Sequence, residues 1–241
     1  MNKKFTMFPF WPNYPACLLD LEKQGTITRT FRRLDPERQR LILDAILNEA
    51  AEKGPAALNI KAVARRAGVA VGSLYQYFPD RDGMLDFAIE LCVRYLSEMF
   101  ALSRPYLLEM PLAEALKSYL SVGLEWGQTE TGLVRFFGRA AYQGDPALTE
   151  RIVHPIAVVM RELMHDLLIK AVAHGEVRPD VDIEAAARLV NVLVIAVGDS
   201  QLLPYLNTYF QVTAKTVPPE RIIEALVPFI LRGIAKEPQG E

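Results

Sequence analysis

The chain has 241 residues, with 27 Lys+Arg against 29 Asp+Glu, a formal net charge of -2, 51% apolar residues and 23% charged ones. That length allows one to two domains with a real core, and the composition excludes a disordered chain, a highly charged tail protein and collagen-like or low-complexity sequence. Cys17 and Cys92 alone make no disulfide framework, and the longest apolar stretch, 189–197, is broken by Asn191 and too short for a bilayer. A cytoplasmic protein with no membrane partner is therefore expected.

Lys3 and Lys4 precede an aromatic and proline-rich stretch in which Pro9, Pro12 and Pro15 interrupt any apolar run. A secretory leader needs that run to be continuous. Residues 1–34 read as an N-terminal arm, extended or partly ordered, whose aromatics suit docking on a neighbouring surface. Within it, Arg29, Arg32 and Arg33 read as a solvated basic stretch, with an arm reaching into a minor groove as the alternative.

From Leu34 onward apolar positions recur at helical spacing and strand-like alternation is scarce. Asp35-Pro36-Glu37 is a helix start: Asp caps, Pro is preset for the first turn, and Glu opposes the dipole. This helix ends at Gly54-Pro55. Asn59 caps a second helix through Ala67, Gly68 punctuates it, and a third short helix spans Val71–Phe78. Pro79-Asp80 opens a long fourth helix to about Ala101, with a connection bracketed by Arg104-Pro105 and Met110-Pro111. Helices then cover Leu112–Gly127, Thr131–Tyr142, Pro146–Val153 and Pro155–His174, and His154, standing before a proline, marks a break. Asp182 caps a helix from Ile183 to about Leu203, and Pro218-Pro219-Glu220 starts the last, kinked by Pro228 and ending near Ala235. Residues 237–241 read as a mobile tail.

The informative segment is Asn59–Phe78. A helix, a short turn led by Gly and a second short helix make a helix-turn-helix, and Gly68 suits the left-handed turn between them. Ala64, Val69 and Leu74 suit the close helix crossing, which leaves the rim of the second helix for binding. Gly72 allows close backbone approach, and Ser73 and Tyr75 can bond phosphate oxygens. Gln76 can pair with an adenine edge, and Val71 can meet a thymine methyl. Lys61 and Arg81 flank this helix. Residues 29–83 hold ten Lys/Arg and seven Asp/Glu, a local basic excess in an acidic chain. A solvated face is the weightier reading of Arg65 and Arg66.

The series Val63-Ala64, Gly68-Val69, Gly72-Ser73-Leu74-Tyr75-Gln76-Tyr77-Phe78, followed by Asp80-Arg81-Asp82 and Leu85, resembles the DNA-binding domain of TetR/AcrR-family transcriptional regulators over Glu37–Leu85. The resemblance implies that Lys61, Ser73, Tyr75, Gln76, Tyr77 and Arg81 face DNA while Leu74 and Phe78 pack inside; packing beneath the helix is the competing reading of both tyrosines. Ala70 and Val71 replace the polar or basic residues frequent there, which leaves base readout to Gln76.

The resemblance also implies an all-α chain: an N-terminal three-helix DNA-binding domain over 35–82, joined by the long fourth helix to a helical effector-binding and dimerisation domain over 83–236. Two helices carry enough apolar surface for half of a four-helix interface, through Leu189, Val192, Leu193 and Ala196 and through Ile223, Leu226 and Ile230; burial within a monomer is the alternative. Phe100, Tyr119, Trp126, Phe136, Phe137, Tyr142, Met160, Met164 and His165 are the candidate lining of an effector pocket. No phosphate loop, nucleotide fingerprint or nucleophile elbow occurs, and His154, His165 and His174 lack metal-ligand spacing, so catalysis, cofactor and metal are not expected. The expected function is a homodimeric repressor on a palindromic double-stranded operator, released by a small, largely apolar effector. A ligand-independent architectural DNA binder and a helical enzyme are the other readings.

Overall fold

Capping chemistry sets where the helices begin. The computed structural model describes residues 11–235, and the described residues form helices and no named strand. Asp35 accepts from the Arg38 N–H at 2.9 Å and opens α3 (Pro36–Lys53). Asn59 accepts from the N–H groups of Lys61 and Ala62 at 2.9 and 3.2 Å and opens α4 (Ile60–Ala67). Gly68, at φ 65°, ends α4 in the left-handed region, and α5 (Val71–Tyr77) follows after two residues.

Two helices precede these. Residues 11–34, read from sequence as an extended or partly ordered arm, fold as α1 (Tyr14–Lys23) and α2 (Arg29–Arg32). Tyr14, Cys17, Leu18 and Leu21 fall at helical spacing and are buried together, which gives this stretch an inward face despite its prolines. Residues 1–10 and the expected tail 237–241 lie outside the described residues.

The described chain falls into two compact units: residues up to Ser97 with Thr129–Pro155, and Glu98–Gln128 with residues from Ile156 onward. This division differs from the expected boundary at residue 82. The first unit takes in most of α6 (Arg81–Glu109) and all of α8 (Thr131–Gln143), which packs on α3. Phe31 is the centre of its aromatic core, with its ring 4.9 Å from Phe87 and 5.1 Å from Phe78. Arg139 on α8 donates to the Ala51 carbonyl at 2.9 Å, satisfying an orphan acceptor at the C-terminus of α3.

In the second unit, α7 (Leu112–Thr129), α10 (His154–Ala173), α11 (Ile183–Leu202) and α13 (Pro219–Ile234) share a core that includes Leu116, Leu167, Val190 and Val227. Asp182 caps α11 as expected, accepting from Ala185 at 3.1 Å. Glu176 accepts from the Leu112 N–H at 2.8 Å, a long-range cap on α7. The short α12 (Pro204–Phe210) lies between α11 and α13.

Two expected breaks are absent. α6 runs through Pro105 to Glu109, although the proline cannot donate a backbone bond there. His154 adopts helical φ and ψ of -58° and -52°: after α9 (Pro146–Leu148), a π turn at Thr149–Val153 leads directly into α10. The wider turn accommodates Pro155 without interrupting the helix. α13 likewise continues through Pro228.

Candidate nucleic-acid interface

α4 and α5 cross in the first unit with Val63, Ala64, Ala67 and Leu74 buried between them and α3. Small side chains allow that close crossing. The turn is held from outside as well: Arg38 donates to the Gly68 carbonyl at 3.1 Å. Arg66 is exposed on α4, and its guanidinium bonds the Glu49 carboxylate at 3.1 Å and pairs with Glu52. That guanidinium holds the Glu52 carboxyl below its ordinary range. These bonds tie α4 to α3 across 17 positions of sequence, a separation over which helical spacing carries no information.

Seven residues of α5 divide cleanly into an inner and an outer side. Leu74 and Tyr77 are buried, with Phe78 just beyond, while Gly72, Tyr75 and Gln76 are exposed and Val71 and Ser73 half-buried. Tyr75 is 57% exposed. A Cβ built on Gly72 meets nothing within 4 Å, so the backbone there lies open to a close approach. Lys61 is exposed on the neighbouring α4 and has no ion-pair partner among the described residues. The rim therefore presents a phenol, an amide, an ammonium group and a bare stretch of backbone. These are donors for phosphate oxygens and base edges.

Two candidates stand differently from expectation. Tyr77 is 9% exposed and packs its ring edge-on to Phe31 at 6.0 Å, so it belongs to the core rather than to a DNA-facing rim. The rotation that turns Tyr75 outward turns Tyr77, 200° further round the helix, inward. Arg81 is exposed, but its guanidinium donates to the Ala56 carbonyl at 2.9 Å and to Asp82 at 2.9 and 3.0 Å. It fastens the start of α6 to the turn between α3 and α4.

The candidate effector lining is split. Phe136, Phe137 and Tyr142 lie on α8 in the first unit, where Phe136 is fully buried because α8 packs on α3. Phe100, Tyr119, Trp126, Met160, Met164 and His165 lie in the second unit. There the rings of Phe100 and Tyr119 are 6.2 Å apart, Met164 is buried, and burial pushes the Tyr119 hydroxyl well above its ordinary range, with Asp199 adding to the shift. His165 lies 4.0 Å from Glu184.

The candidate dimer residues also divide. Leu189 and Val192 are 66% and 62% exposed. Leu193 and Ile223 are partly buried against the second unit's core, and Ala196 is half-buried. Leu226 and Ile230 are buried within that core, so neither is available to a partner chain. On α13 the exposed large apolar side chain is Phe229, at 67%, which the periodicity of a largely apolar helix does not single out.

Among the described residues no cluster of His, Cys, Asp or Glu could hold a metal ion, and no helix is long and apolar enough to cross a membrane.

Comparison with known proteins agrees with this geometry. Residues 42–87 match the family model described as bacterial regulatory proteins, tetR family. The HTH-type transcriptional repressor KstR of Mycolicibacterium smegmatis is 49% identical over 53 residues, 22% of this chain and 26% of the repressor. The match thus spans about a quarter of that relative's length. Among solved structures, a TetR family transcriptional regulator from Chloroflexus aurantiacus shares 23% identity at TM-score 0.59, covering 88% of this chain and 99% of that one. The fatty acid degradation regulator FadR from Bacillus halodurans shares 18% identity at TM-score 0.62, covering 83% and 97%. Both share the helical fold over nearly their whole length. The relatives found are transcriptional regulators, not enzymes.

Proposed function

We propose that this chain, whose residues 42–87 match the tetR family of bacterial regulatory proteins, is a member of that family that represses transcription as a cytoplasmic homodimer bound to a palindromic operator and is released by a small, largely apolar effector. The observation that carries the reading is the outer rim of α5, where Gly72, Tyr75 and Gln76 are exposed above a fully packed inner side. In this reading Lys61, Ser73 and Tyr75 contact phosphates, Gln76 reads a base edge, and Val71 meets a thymine methyl. Repression as the sign of regulation is supported by the KstR relatives, which are repressors.

Leu189 and Val192 on α11, with Phe229 on α13, support a dimer. Large apolar side chains exposed on two packed helices are a surface that a second copy can cover. Two chains would then present paired recognition helices to half-sites about 34–36 Å apart. The effector would enter the second unit near Phe100 and Tyr119, and it would shift DNA affinity only through a difference in its own affinity for the bound and released arrangements.

Selection of bound sequences from a random duplex library tests the reading. The expected product is an inverted repeat with half-sites one helical turn apart, and Gln76→Ala broadens the base preference at one position per half-site while leaving nonspecific binding intact. Recovery of no enriched sequence would overturn the operator-binding function.

A further inference from the structure

The C-terminal end of the recognition helix is bonded to the N-terminal segment. The Thr28 N–H donates to the Tyr77 carbonyl at 2.9 Å, and the Thr28 hydroxyl donates to the Gln76 carbonyl at 2.6 Å. These carbonyls are among the acceptors that a helix end leaves without intrahelical partners. Thr28 is also the N-cap of α2, its hydroxyl oxygen accepting from the Phe31 N–H at 3.4 Å. One residue thus joins the end of α5 to the start of α2.

The orientation of α2 follows from its other contacts. Phe31 is fully buried against Tyr77, Phe78 and Phe87. Arg32 pairs with Glu22 on α1. Arg29 and Arg33, one helical turn apart, lie on the side opposite Phe31; both are exposed and neither has a side-chain partner among the described residues. The nearby Asp35 carboxylate is occupied by its cap on α3. Two free guanidinium groups therefore stand on a docked helix whose cap touches Gln76, a residue of the exposed rim.

We infer that α2 is a second DNA-contacting element, with Arg29 and Arg33 binding phosphates at the edge of the groove that α5 enters. The inference rests on the DNA-binding reading of α5. Thr28 bonds the carbonyl of Gln76, a residue of the exposed rim, and phosphates line both walls of any groove that this rim enters. Thr28 thereby anchors α2 beside that rim. Fixed in place by Phe31, the two arginines reach backbone rather than bases, so they contribute affinity and register without sequence preference. This differs from a flexible arm in a minor groove, because the segment is already folded before DNA arrives.

The test measures binding of full-length protein to the duplex recovered by library selection, across ~50 to ~200 mM salt. Each lost phosphate contact lowers the slope of log affinity against log salt by about 0.9, so R29Q/R33Q is expected to lower it by about 1.8 per bound chain, with unchanged base preference and unchanged Tm. R29K/R33K keeps the charges and is expected to retain the wild-type slope. K117Q/R232Q removes two charges from the second unit and serves as the control for net charge. A wild-type slope in R29Q/R33Q, or an equal loss in K117Q/R232Q, overturns the role of α2 while leaving α5 as the reader. Failure of the wild-type protein to select any duplex overturns both.

Discussion

The Arg40 guanidinium on α3 lies 2.9 Å from the Glu130 carboxylate at the start of α8, and the Glu130 side chain is only 4% exposed. Arg40 also bonds Asp44 one turn along its own helix at 3.0 Å. Together they form a largely buried charge cluster binding α8 to α3, the helix on which α4 packs. Burial raises the Asp44 carboxyl above its ordinary range, with Arg40 pulling the other way. Removing one member of a buried pair leaves a charge behind, whereas replacing both by apolar groups does not.

Glu130→Ala should consequently lower stability by about 2–3 kcal/mol, somewhat less than a fully isolated pair because Asp44 still faces Arg40. The double variant Arg40→Met/Glu130→Leu should recover part of that loss, the remainder being the half-exposed Asp44 carboxylate that then lacks Arg40. Urea unfolding of the two variants and the wild type measures both effects. Equal destabilisation by the single and double variants would show that the cluster contributes net attraction.

Tyr75 and Tyr77 should separate binding from folding. Tyr77→Ala removes a ring packed on Phe31 and is expected to cost roughly 3 kcal/mol of stability, in the range for a large buried aromatic. Tyr75→Ala removes an exposed ring, so stability should change by less than about 0.5 kcal/mol while operator affinity falls. Thermal unfolding and duplex titration of both variants distinguish the roles. A Tyr75→Ala protein with wild-type affinity would take that phenol out of the interface.

The turn offers a cleaner backbone experiment. Gly68 holds φ at 65°, and a Cβ built there meets no atom within 4 Å. Gly68→Ala should therefore cost only the conformational penalty, about 1–2 kcal/mol, and Gly68→Asn less, because Asn tolerates the left-handed region. Steric crowding predicts the reverse order for the larger Asn, so comparing the two midpoints decides between the causes.

What was legible in the sequence was local chemistry. Asp35, Asn59 and Asp182 act within three residues of themselves, and each caps the helix that its spacing predicted. Gly68 likewise needed only its own turn. α1 is masked in the sequence by Pro9, Pro12 and Pro15, although Tyr14, Cys17, Leu18 and Leu21 carry a helical period. Site residues were legible only as types. Tyr75 and Tyr77 are alike as letters and differ by the rotation of a two-turn helix, which the packing of Phe31 sets from 46 residues away. The same holds for α13, where Leu226 and Ile230 turn inward and Phe229 outward. Arg40 with Glu130 and Thr28 with Gln76 join residues 90 and 48 positions apart, a distance over which no periodicity carries information.

Cys17 supplies a test by pH of whether α1 is folded onto the first unit. Burial pushes its thiol from an ordinary 9.0 up to about 11, with the nearby Arg94 guanidinium pulling the other way. A raised pKa means that the folded state keeps its proton after the unfolded state has released it. The stability contributed by the neutral thiol is therefore complete below pH 9, and it is lost as pH rises from 9 through 11. Cys92, Tyr14 and Tyr119 shift in the same direction, so the wild-type protein should lose stability across this window for several reasons at once. The Cys17 share is isolated by comparison with Cys17→Ala, whose stability should fall less steeply over the same range. Equal slopes for the two proteins between pH 9 and 11 would mean that the thiol is solvated and that α1 detaches in solution. Thiol labelling near neutral pH reads the same equilibrium kinetically: with α1 docked, modification of Cys17 waits for an opening event and stays far slower than that of a free thiol.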